Sequence, residues 1–135
     1  MKQKGYLFAT LLLSCGALMS TLTYAAHGEI TVIPQKGLAS WYGEADRGKL
    51  MANGKRFDPD KLTAASWFYP LGTRVRVTIS SPDFEARSVM VTITDRGPAK
   101  RLVRRGRVID LGLAAFQRIA DADLGLVEVT VEPMP

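Results

Sequence analysis

Val89-Met90-Val91-Thr92-Ile93-Thr94-Asp95-Arg96-Gly97-Pro98 alternates a branched apolar residue with its neighbour and then breaks into a turn. Period two is the strand signature, and it sets Val89, Val91 and Ile93 on one face. Upstream, Arg74 to Ile79 does the same, with Val75, Val77 and Ile79 opposite Arg74, Arg76 and Thr78. Between them Ser80-Ser81-Pro82-Asp83 is a turn cluster, so the pair reads as two strands, the second from Arg87 to Thr94, feeding one core. Working outward, Leu126 to Glu132 alternates around Val127, Val129 and Val131, and Leu38 to Tyr42 is a short strand between Gly37 and Gly43. Ile30 to Ile33 is a possible edge strand. Leu113 to Ala120 is the one credible helix, with Leu113, Phe116, Gln117 and Ala120 at helical spacing. Short strands, Gly-rich connections and one short helix predict a mainly β chain closed into a small barrel.

The first 25 residues read as an export signal. Lys2 and Lys4 precede an apolar stretch from Tyr6 to Leu22, and Thr23-Tyr24-Ala25 offers small residues where a signal peptidase inspects them. Two other readings are a lipobox, Leu12-Leu13-Ser14-Cys15, with Cys15 acylated, and a retained transmembrane anchor. Cleavage after Ala25 leaves residues 26–36 as a leader and 37–132 as one barrel domain without repeats or a transmembrane helix. The formal charge of +5 then falls to +3 as Lys2 and Lys4 depart. A modest positive balance suits an anionic polymer as partner. Nucleic acid is a poor candidate for an exported chain with no nucleic-acid motif.

Asp95 stands at the mouth of this β-structure with little catalytic company. The only histidine is His27 and the only cysteine Cys15. Past them, no Ser-His-Asp or Cys-His mechanism can run, and the usual zinc ligands are missing. No metal or cofactor is implied, and any catalysis falls to carboxylates. A plainer reading has Asp95 capping the turn while Gly97 supplies a positive-φ position. Aromatic residues cluster at Trp41-Tyr42 and Trp67-Phe68-Tyr69. Rings stack on the apolar faces of sugars or fill a small core; here Trp41 and Phe68 are assigned to the core and Tyr42 to a cleft. Asn53 is either a turn former or a donor to a sugar. Lys100, Arg101, Arg104, Arg105 and Arg107 form a basic run, expected as a solvated loop or as a surface for polyanions.

Islands in order along the chain resemble the rare-lipoprotein-A family. They are Gly37-Leu38-Ala39-Ser40-Trp41-Tyr42-Gly43, Ala52-Asn53-Gly54, Phe57-Asp58, Leu62-Thr63-Ala64-Ala65, Leu71-Gly72-Thr73-Arg74-Val75-Arg76-Val77-Thr78, Asp95-Arg96-Gly97-Pro98 and Val108-Ile109-Asp110-Leu111. The resemblance implies a six-stranded double-psi β-barrel with one or two short helices, in a cell-envelope protein. It also implies an endolytic lytic transglycosylase working on peptidoglycan glycan strands stripped of peptide, with envelope or division proteins as further partners. Such an enzyme cleaves without water, because the muramic C6 hydroxyl attacks its own anomeric carbon. One carboxyl group can first protonate the leaving oxygen and then accept the hydroxyl proton. Asp95 matches the family's catalytic aspartate, and Tyr42, Asn53, Thr63, Ser66 and Arg96 are the expected substrate-binding residues.

Two positions depart from the family pattern. Lys55 stands where a catalytic glutamate normally follows Asn-Gly, and Ser66 where a histidine normally follows Thr-Ala-Ala. Glu44 and Asp46, in the preceding loop, are possible substitutes for the missing acid. The alternative to an enzyme is therefore a catalytically silent glycan-binding or wall-loosening module; an interaction domain for an envelope machine is the third class.

Overall fold

The computed structural model describes residues 33–80, 82, 83 and 85–135. The expected export signal, and the possible edge strand apart from Ile33, lie outside them; Ile33 itself is exposed and not in a strand. Six strands close a barrel: β1 (Gln35–Tyr42), β2 (Thr63–Ala65), β3 (Arg74–Ile79), β4 (Ser88–Asp95), β5 (Arg107–Gly112) and β6 (Val127–Pro133). The order around the wall is β1-β5-β2-β4-β3-β6. Two pairs, β1 with β5 and β2 with β4, are parallel, and the other four are antiparallel. β1 starts at Gln35, so Gln35 and Lys36 belong to the barrel and not to a leader.

The predicted strands are present and pair antiparallel, with Val75 opposite Val91 and Val77 opposite Val89. Val75, Val77, Ile79, Val89, Val91 and Ile93 all point into one core with Val127, Val129 and Val131. Closure removes the free sheet edges that a six-stranded open sheet would expose. β2 was not foreseen, since three residues are too few to show a period.

The helix is shorter than its spacing predicts. α2 spans Leu113–Gln117, after which Arg118 and Ile119 donate to carbonyls three residues back, Ala115 and Phe116. Tightening of the last turn keeps Ile119 and Ala120 buried with Phe116. The basic run is not simply a loop: α1 covers Lys100–Val103, and the chain turns back at Gly106 into β5. Gly37 allows that return. A Cβ there would stand 2.5 Å from the Gly106 carbonyl oxygen, which accepts the Leu38 N–H at 2.8 Å.

Two aromatic assignments need correction. Trp41 is 36% and Phe68 39% exposed. The Trp41 indole needs a partner for its N–H and finds the Ala122 carbonyl at 2.8 Å on the barrel's outer surface. The Phe68 backbone N–H is held by the Ser66 hydroxyl at 3.2 Å in an irregular turn. Tyr69 takes the buried place instead, and its hydroxyl donates to the Val131 carbonyl at 3.0 Å.

Candidate active-site cleft

Asp95 ends β4 and its carboxylate anchors the loop opposite. Oδ1 accepts the Ala52 N–H at 2.9 Å and the Arg96 N–H at 2.8 Å. The Asn53 N–H bonds the neighbouring Thr94 carbonyl at 3.1 Å. Among the described residues Oδ2 has no hydrogen-bond partner, so one carboxylate oxygen is structural and the other is free.

Asp95 shares an open cleft of about 230 Å³ with Tyr42, Asp46, Ala65, Arg96, Gly97, Pro98, Ala99 and Asp110. Asp110, on β5, is the residue that sequence reading missed. Its Oδ1 accepts a short hydrogen bond from the Ser40 hydroxyl, and Arg107 stands 3.9 Å away. Burial pushes its carboxyl above the ordinary carboxylate range, against the smaller opposing pulls of Ser40 and Arg107. A signal was available: Asp110 is a lone acid between Ile109 and Leu111, both fully buried. Charge in an apolar strand needs either a partner or a purpose.

Gly97 brings the turn over Asp110. Its φ is not positive, contrary to the turn reading. What the position requires is room, since a Cβ would meet the Ala65 methyl at 3.3 Å and Asp110 Oδ2 at 3.5 Å. The Gly97-Pro98 bond is cis.

Tyr42 lines the same cleft, as expected, and stacks on Phe57 with ring centroids 4.2 Å apart. Burial, and then the negative charges of Asp95 and Asp110, push its phenol well above the usual range. Thr63 lies close enough to ease that ionisation slightly, yet both hydroxyls are buried outside hydrogen-bonding geometry of any described partner.

The other expected binding residues are placed differently. Ser66 is fully buried, and its hydroxyl donates to the Val108 carbonyl at 3.1 Å. With the Phe68 N–H also donating to Ser66 Oγ, no part of the side chain is open to a sugar. Arg96 lines the cleft, but Nη1 is committed to the Ser66 and Tyr69 carbonyls at 2.7 and 2.6 Å. It staples the turn that carries the aromatic cluster. Asn53 acts as a turn former, its Oδ1 accepting the Lys55 N–H at 3.0 Å. Asn53, Lys55 and Thr63 line a second, larger cavity of about 520 Å³, together with Met51, Asp58 and Thr92. Of the possible substitute acids, Asp46 reaches the cleft and pairs with Lys49 at 2.7 Å, while Glu44 is engaged by Arg47 at 2.6 Å. Among the described residues no cluster of three or more His, Cys, Asp or Glu is arranged to hold a metal, and no helix is long and apolar enough to cross a membrane.

A closed six-stranded barrel with an acidic cleft at the ends of β1, β4 and β5 is the double-psi β-barrel class. Residues 34–131 match the family described as lytic transglycolase, and the chain belongs to it. It is 43% identical over 99 residues to the probable endolytic peptidoglycan transglycosylase RlpA of Nostoc sp., covering 72% of this chain and 25% of that one. It is 37% identical over 110 residues to the endolytic peptidoglycan transglycosylase RlpA of Pseudomonas aeruginosa, covering 82% and 30%. The Neisseria meningitidis protein of that name is 33% identical over 109 residues, covering 81% and 43%. The chain thus spans between a quarter and under half the length of these curated relatives. Among solved structures it resembles the Streptomyces papain inhibitor, at TM-score 0.58 and 24% identity over 76% of this chain and 96% of that one. The apo expansin of Clavibacter michiganensis is similar at TM-score 0.56 and 22% identity, over 76% of this chain and 51% of that one.

Proposed function

We propose that this protein is an exported lytic transglycosylase that cleaves peptide-poor peptidoglycan glycan strands in the cleft at Asp95. The observation that carries the reading is two carboxyl groups, Asp95 and Asp110, lining one cleft in a chain of the lytic transglycolase family. Asp95 is the acid/base. Among the described residues its Oδ2 has no hydrogen-bond partner, and its Oδ1 is clamped by two N–H groups that fix the carboxyl plane.

In the first step the protonated Asp95 carboxyl gives its proton to the glycosidic oxygen as the C1–O bond of the muramic residue breaks. The resulting carboxylate then takes the proton of that residue's C6 hydroxyl while O6 bonds to C1, closing a 1,6-anhydro ring and restoring the acid. No water is consumed, so no second carboxylate is needed to hold one, unlike an inverting glycosidase. Asp110 supports the cycle by retaining a proton to higher pH than an ordinary aspartate, which limits the negative charge in the cleft.

The second reading is a glycan-binding module without cleavage. Lys55 and the buried Ser66 favour it, because they stand where the family's usual glutamate and histidine would be. One experiment separates the two: purified protein is incubated with peptide-free glycan strands, and anhydromuramic ends are assayed by mass spectrometry. Release supports the enzyme. Binding without release supports the module.

A further inference from the structure

We propose that Trp67 and Lys100 form a sugar subsite at the rim of the cleft, selective for a hexosamine ring bearing a carboxylate. The inference rests on the reading of the cleft as a glycan site. Trp67 is 46% exposed, the largest exposure of any aromatic side chain among the described residues. Its indole N–H is already satisfied, donating to the Pro98 carbonyl at 2.7 Å. That bond pins the ring to the turn that follows Asp95, and Pro98 and Ala99 line the cleft wall. With its polar edge spent on the protein, the indole has only a flat apolar face to offer. Such a face stacks on the C–H side of a pyranose.

Lys100 specifies the charge of that sugar. As the first residue of α1, it holds its ammonium 5.3 Å from the Trp67 ring centroid. Among the described residues it makes no ion pair, whereas Lys49 and Arg47 nearby in sequence to the cleft loop are both paired. An ammonium over an exposed ring is held weakly, and the flexible lysine stem lets it swing aside. A ring stacking on Trp67 therefore displaces the ammonium to its own edge, where a carboxylate substituent would receive it. Muramic acid carries such a group as its lactyl ether; N-acetylglucosamine does not. Sugar stacking and charge pairing thus fall to two adjacent side chains, one of them tied to the turn that follows Asp95.

The test measures binding by isothermal titration in an Asp95→Asn background, so that no strand is cut. The probes are peptide-free glycan strands, the same strands with their carboxylates reduced to alcohols, and chitin oligosaccharides. Trp67→Ala should weaken binding of all three by about tenfold, and Trp67→Phe should retain most of it. Lys100→Gln should weaken only the carboxylate-bearing strands, by about threefold, and only at low salt. Equal affinity for Trp67→Ala and its parent overturns the subsite while leaving the cleft reading intact. Equal loss with Lys100→Gln on native and reduced strands overturns the carboxylate selectivity. If the parent binds no probe and the wild type cuts none, the cleft reading falls and the subsite with it.

Discussion

The strand pair β3–β4 and the segment Gly43–Leu62 are neighbours held together by different means. In β3–β4 every second side chain is buried, and the ladder accounts for the backbone. Its stability is apolar area removed from water. Gly43–Leu62 contains one 3-10 turn and a single isolated bridge, Leu50 with Arg56. Besides the buried Met51, Phe57 and Pro59, polar staples hold it: Arg47 engages Glu44, Asp58 and Asp60, and Asp58 Oδ1 accepts the Asp60 N–H. Those ion pairs are exposed, so each contributes little alone. The difference teaches where function can reside. The strand pair is a hydrogen-bonded wall, the segment an irregular one, and the Asp95 carboxylate joins them through the Ala52 N–H.

That junction gives the largest expected effect. Asp95→Asn keeps an oxygen that can accept from Ala52 and Arg96, so the loop should stay in place. It removes the proton carrier of the proposed mechanism, a role worth roughly 10² to 10⁴ in rate. Release of anhydro ends should therefore fall by at least about a hundredfold, with a melting temperature near that of wild type. Retained cleavage would remove Asp95 from the chemistry and leave it as the loop's anchor alone.

The wall is tested next. Val91 is 2% exposed on the buried face of β4. Val91→Asp places an unpaired charge in the core and should cost about 3 kcal/mol or more. Denaturant titration checks it. A loss below about 1 kcal/mol, within surface-substitution scatter, would mean that this wall is not the core of the fold.

The contrast also explains what could be read in advance. Alternation made β3, β4 and β6 legible, because a period of two records which face is dry. The ordered islands from Gly37 to Leu111 carried the barrel class and Asp95. Ser66 misled because its neighbours resemble a binding motif, while its burial depends on Val108, a residue 42 positions away. Trp41 and Phe68 misled because aromatic character does not say which face of a barrel a ring occupies. Asp110 was visible only as an acid in an apolar strand. Its pairing with the cleft depends on β5 lying between β1 and β2 in the wall, a long-range fact that no local pattern encodes.

Asp110 offers a subtler comparison between wall and cleft, read through pH. Its folded-state pKa is raised, so the folded protein binds more protons than the unfolded chain as pH climbs out of the ordinary carboxylate range near 4. Stability attributable to this residue must then fall with rising pH until the raised value is passed. Asp110→Asn keeps an acceptor for Ser40 and should flatten that stretch of the curve. Chemical denaturation across pH 4 to 8 measures it. A wild-type profile unaffected by the substitution would mean that Asp110 is as solvated as a surface acid.

Lys55→Glu should have the smallest effect, and it asks whether the two cavities work as one. Restoring the family's glutamate would supply a second acid within reach of substrate only if the larger cavity were continuous with the Asp95 cleft. Lys55 is exposed and lines the 520 Å³ cavity with Asp58 and Lys61, while Asp95 and Asp110 line the other. The Asn53 N–H bonds the Thr94 carbonyl, and both residues line the larger cavity, while Asp95, next in the chain, lines the other. A carboxylate at position 55 also meets Asp58 in the same cavity, which works against bringing a second negative charge there. The expected change in cleavage rate is therefore under about threefold, equivalent to less than about 0.7 kcal/mol in the barrier. A rise of a hundredfold would instead reveal one continuous groove, with Lys55 marking a lost catalytic partner.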